Sequence, residues 1–112
     1  MRFGTFKVPP QTVIPPHFHP DDRSCFVLTG LCFFGYGTVR DEAQLTGLPT
    51  GSNYTEPAGV LHFDGTKDQE AIVECTGVGP AGTTFFNSAD DPRKKVSRGS
   101  FRLTRLRQFL FE

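Results

Sequence analysis

Apolar and polar positions alternate at short range along the chain, with hydrophobic runs of about four to eight residues cut by glycine and proline, the length of strands rather than helices. Gly and Pro number 12 and 9 in 112 residues, so a breaker interrupts almost every run. Candidate strands are Phe3 to Val8, Thr12 to Ile14, Ser24 to Thr29, Leu31 to Gly37, Asn53 to Thr55, Val60 to Phe63, Ala71 to Thr76 and Thr83 to Phe86. They are rich in β-branched and aromatic residues, which suit a pleated, half-buried surface. Many short strands with frequent turns predict an all-β sandwich or barrel, because closure or stacking of two sheets is how such chains dispose of exposed edges. The polar stretch Ser88 to Ser100 reads as an exposed connector that ends the barrel. Beyond it, Leu103, Leu106 and Leu110 recur at helical spacing while Arg102, Arg105 and Arg107 take other positions. That pattern predicts a short amphipathic helix packed on the barrel or on a partner subunit. The expected organisation is one β-domain over residues 1–97 and a tail over 98–112.

Length and composition narrow the function. A chain of 112 residues has the size of one domain and buries enough surface to fold without a covalent staple. Its 12 Phe against 2 Tyr and no Trp place the apolar mass in rings without polar handles, as suits a packed interior. Lys plus Arg equals Asp plus Glu at 12 each, so no global field draws the chain to nucleic acid or to an anionic membrane. A small molecule is the expected partner. Cys25, Cys32 and Cys75 are an odd set without a Cys-x-x-Cys pair, which predicts buried free thiols rather than a disulfide framework or a zinc knuckle. No signal-peptide h-region and no bilayer-length apolar run is present, so the expected location is cytoplasmic, although a removed signal peptide would leave the same sequence.

The chemistry concentrates in the histidines. The chain has 3, and two of them form His17-Phe18-His19. On an extended strand residues i and i+2 share a face, so both imidazoles project together and Phe18 points away. His62 lies in the apolar run Val60 to Phe63, whose alternation sets Val60 and His62 against Leu61 and Phe63. Three neutral imidazoles suit one divalent transition metal (Fe, Mn, Ni, Zn or Cu) and leave positions open for water, substrate or dioxygen.

The segment from His17 to Gly30 resembles the first motif of the cupin superfamily: His-x-His, three or four residues, Glu, six residues, Gly. Gly30 follows Arg23 by that last interval, so Arg23 stands where the family usually has Glu. The second motif, Gly-x5-Pro-x-Gly-x2-His, is matched without gaps by Gly51, Pro57, Gly59 and His62. The resemblance covers about residues 3 to 87 and departs at Gln11, where the first motif often starts with Gly, and at Thr66, where Asn often follows the second. It implies a jelly-roll double-stranded β-helix with metal ligands His17, His19 and His62. A guanidinium cannot ligate a cation, so the expected site has three His completed by water, or else Asp21 or Asp22 reaches the metal through an irregular loop. Arg23 either pairs at the rim with Asp21, Asp22 or Glu74 or grips an anionic substrate. Tyr36 and Tyr54 are candidate proton donors, and Phe26, Phe33, Phe34, Phe63, Phe85 and Phe86 are candidate pocket walls.

Cupins host many chemistries, and fold does not choose among them. The first expectation is a metal-dependent enzyme of dioxygenase or lyase type acting on a small organic molecule, with Arg23 and Tyr36 as catalytic candidates. The alternative is a non-enzymatic ligand-binding or sensory cupin. Small cupins commonly pair, and the edge strand Phe3 to Val8 would otherwise stay open, so a homodimer is expected.

Overall fold

The described residues, 2–94 in a computed structural model, form nine strands: β1 Arg2–Val8, β2 Val13–Phe18, β3 Arg23–Thr29, β4 Leu31–Tyr36, β5 Thr46–Pro49, β6 Asn53–Glu56, β7 His62–Gly65, β8 Ala71–Gly77 and β9 Thr84–Phe85. Alternation sorts them into two faces. On β3, Arg23, Cys25 and Val27 are buried while Phe26 and Leu28 are each 43% exposed. On β8, Ala71, Val73 and Cys75 turn inward in the same way. Antiparallel pairing gives one sheet in the order β1-β8-β3-β6 and a second in the order β5-β4-β7-β2-β9. The buried cluster of Phe6, Cys25, Val27, Cys32, Ala71, Val73 and Cys75, with Leu48 and Tyr54 against it, forms the apolar core.

The all-β jelly-roll expectation holds, but the barrel wording is corrected: among the described strands no ladder joins the two sheets into a closed cylinder. Edges are instead handled by stacking one sheet on the other. Three strand expectations also change. β2 runs on to Phe18 through Pro15 and Pro16, and its register against β7 shifts between Ile14 and His17. Proline has no N–H for a ladder, so an interior strand accommodates it by such an irregularity. β5 has no hydrophobic alternation and is a strand because β4 pairs with it. β7 starts at His62, since Val60 belongs to a turn in which its N–H donates to the Pro57 carbonyl and its side chain is 41% exposed.

The cysteine expectation is overturned for two residues. Cys25 and Cys75 stand directly opposite on β3 and β8 and form a disulfide, while Cys32 is free and buried as expected. The stretch read as an exposed connector is partly packed: 3-10 turns cover Ser88–Asp90 and Pro92–Lys94, and Asp91 between them and Pro92 at the start of the second are buried. Burial there follows from Arg93, which binds the Asp91 carboxylate and the Thr83 carbonyl. The expected C-terminal helix lies outside the described residues.

Both motif departures have a defined local geometry. Gln11 adopts φ 60°, a left-handed conformation that glycine enters more readily. Thr66 donates from its hydroxyl to the Pro9 carbonyl and accepts from the Thr12 N–H, tying the start of β2 to the end of β7.

Candidate metal centre

The three histidines come from the five-stranded sheet and meet inside the sandwich. His17 on β2 and His62 on β7 are ladder partners, and His19 follows β2 by one residue. Ring centroids lie 4.2 Å apart for His17 and His62, 5.0 Å for His17 and His19, and 5.1 Å for His19 and His62. One ring nitrogen from each falls within 4.8 Å of the others. All three side chains are enclosed, and Phe34 and Phe85 pack on His62 and His17.

Each Nδ1 faces a backbone carbonyl: Pro15 at 2.8 Å from His17, Gly82 at 2.8 Å from His19 and Val60 at 3.3 Å from His62. A carbonyl only accepts, so a proton belongs on each Nδ1 and Nε2 is the atom each ring can offer a metal. Such an outer hydrogen bond is what fixes the orientation of a metal-binding imidazole. A carboxylate absent from the sequence expectations completes the cluster. Glu56, the last residue of β6 in the opposite sheet, places Oε1 at 3.4 Å from His19 Nε2 and Oε2 at 3.3 Å from His62 Nε2. It is 2% exposed and pairs in register with Arg23.

Burial and charge set the protonation states. Enclosure, reinforced by His62, pushes the His17 imidazole down to about 3, so it stays neutral across the physiological range. Burial raises the Glu56 carboxyl, but contacts with His19 and His62 outweigh it and hold the group below its ordinary range. Burial lowers His62, yet the Glu56 carboxylate more than compensates and shifts it upward. Asp64, two residues on from His62, is fully enclosed with no hydrogen-bond partner for either carboxylate oxygen among the described residues. Burial raises it to about 7, with Glu56 adding to the rise and His62 and Arg40 opposing it. The three imidazoles form one group that could hold a divalent cation, and Glu56, His62 and Asp64 form a second that shares His62.

No family model matches the chain. A germin-like protein of Oryza sativa subsp. japonica is 25% identical over 99 residues, covering 81% of this chain, which spans 46% of that relative's length. A cupin-2 domain-containing protein of Shewanella frigidimarina NCIMB 400 superposes with a TM-score of 0.53 at 25% identity, over 68% of this chain and 69% of that one. The chain folds as a cupin. The DMSP lyase DddQ of Ruegeria pomeroyi DSS-3 also superposes on this chain, with a TM-score of 0.64 at 20% identity over 74% of this chain and 41% of that one.

Around the histidine cluster the fold distributes the other candidate residues unevenly. Arg23 is buried, with Nε at 3.1 Å from Asp21 Oδ1 and Nη2 at 3.3 Å from the Gly82 carbonyl, the same carbonyl that binds His19 Nδ1. Asp21 also accepts from the Gly79 N–H, and Asp22 accepts from the Ala58 N–H, so both aspartates are engaged in holding loops. Tyr36 is half-exposed and donates its hydroxyl to the Thr55 carbonyl at 2.6 Å. Tyr54 lies in the interior beside Phe34. Of the rings proposed as walls, Phe34 and Phe85 touch the histidines, Phe63 is buried beside Gly35, and Phe26 and Phe86 face outward. The signal that could have found Glu56 is its spacing from Tyr54, which puts both on the inward face of one short strand just before Pro57.

Proposed function

We propose that this cupin is a metal-dependent enzyme, of oxygenase or lyase type, that acts on a small organic molecule at a centre held by His17, His19 and His62. The observation that supports this reading most is that all three Nδ1 atoms face backbone carbonyls while one ring nitrogen from each histidine lies within 4.8 Å of the others inside the sandwich. A divalent metal there would supply Lewis acidity or a platform for dioxygen. The chain's own part is to hold the rings in one tautomer, to exclude water by burying the cluster, and to keep Arg23 and Asp21 paired close to His19. The lyase named among the structural neighbours supports an enzyme of this class, and its substrate remains a property of that protein.

The test has two stages. Purified protein is expected to carry or take up one divalent metal per chain, and His62→Ala is expected to release it under mild chelation. Retention of full occupancy by that variant would discard the three-His assignment. Metal-loaded protein is then screened against small carbonyl, enol and aromatic compounds for oxygen uptake or bond cleavage. Binding without turnover across the screen would favour a ligand-binding or sensory cupin.

A further inference from the structure

We infer that Glu56 is a fourth protein ligand of the metal, delivered from the sheet opposite the histidines. This rests on the metal-centre reading above and adds a ligand to it. The first motif lacks its usual carboxylate, because Arg23 stands in that place. Glu56 is the ladder partner of Arg23 on β6, so the carboxylate is supplied one strand over rather than lost.

Three geometric facts carry the assignment. First, Glu56 contacts His19 and His62 through their Nε2 atoms, whereas the outer hydrogen bonds that orient those rings run from Nδ1. A residue that merely steadied the imidazoles would meet them from the Nδ1 side. Once a cation occupies Nε2, no proton remains there for Glu56 to accept, and its oxygens can face only the cation. Second, the N···O separations of 3.4 and 3.3 Å are long for a charge-assisted hydrogen bond, which runs at about 2.7–2.9 Å. They fit donors arranged around one ion, with Oε1 on the His19 side and Oε2 on the His62 side: bond lengths of about 2.0–2.2 Å at an angle near a tetrahedral one put a nitrogen and the oxygen beside it roughly 3.4 Å apart. Third, Glu56 is enclosed, so its oxygens are turned to the histidines inside the sandwich and not to solvent. The Cys25 and Cys75 sulfurs lie within 4.8 Å of a Glu56 oxygen and back the carboxylate on the side of the core.

The experiment uses Co(II) alone as the probe, added to metal-free wild type, His62→Ala, Glu56→Gln and Glu56→Asp, with thermal unfolding of each protein as a folding control. Affinity is read by calorimetry, and the ligand shell by the visible d–d absorption of the bound ion. Glu56→Gln keeps the side chain's shape and removes its charge. It is expected to weaken Co(II) binding by at least about tenfold and to alter the d–d spectrum. Glu56→Asp keeps the charge but draws the oxygens back by one methylene, and is expected to bind more weakly than wild type with a changed spectrum; it carries the test if the Gln variant fails to fold. Wild-type affinity and an unchanged spectrum in the folded Glu56 variants, with binding lost in His62→Ala, would overturn the fourth-ligand assignment and leave the three-His centre standing. If wild type takes up no Co(II), or His62→Ala binds it as wild type does, the metal-centre reading fails and this inference with it.

Discussion

At the scale of single residues, burial decides chemistry more than residue type does. Cys32 and Cys25 are both inward-facing thiol residues, yet only Cys25 has a cysteine opposite it. Burial pushes the Cys32 thiol up to about 12, with the Asp64 and Glu56 carboxylates adding to the rise. The folded state therefore keeps a proton that the unfolded chain begins to lose near the thiol's ordinary value of 9. Since the unfolded state then binds fewer protons, stability falls as pH rises through that window, at up to about 1.4 kcal/mol per pH unit for this one group. Urea titrations at pH 8.5 and 10 are expected to show a smaller drop for Cys32→Ser than for wild type, and equal drops would reject the assignment. The same burial predicts that a thiol reagent at pH 8 leaves Cys32 unmodified until the protein is unfolded.

At the scale of elements, the disulfide ties β3 to β8 in the middle of the four-stranded sheet across a sequence separation of 50 residues. Cross-linking a loop of that length removes unfolded-state entropy worth roughly 4 kcal/mol, the upper end of what such a bond delivers. Reduction, or Cys75→Ser, is therefore expected to lower the urea midpoint strongly while the fold persists, because Val27, Ala71 and Val73 still close the core around it. A midpoint unchanged by reductant would mean that the two sulfurs are not bonded in solution.

At the scale of the whole molecule, the chain keeps one face of its four-stranded sheet outward, where Phe26 and Leu28 are each 43% exposed, and β1 lies at that sheet's edge among the described strands. An edge of 7 residues is long enough to template another strand. A homodimer using this sheet is the expected solution state. Light scattering at tens of micromolar should return twice the chain mass, and a clean monomer would reject the pairing. Among the described residues no helix is long and apolar enough to cross a membrane.

Much of the site is legible in the amino-acid sequence. The His17 and His19 pairing follows from strand period, which is a local property, and the spacing from Gly51 to His62 carries its turns with it: Gly51 and Gly59 adopt φ 92° and 73°. The all-β class follows equally from short runs and breakers. What the sequence hides depends on register between strands distant along the chain. Arg23 faces Glu56 across 33 positions and Cys25 faces Cys75 across 50, and neither partner is implied by its own neighbours. β5 has no local signal because its strand state comes from β4 rather than from its own residues. Local stereochemistry thus determined which strands form and which faces carry the histidines. The stacking of the two sheets decided which carboxylate meets those histidines, because ligands on opposite sheets are joined only by packing.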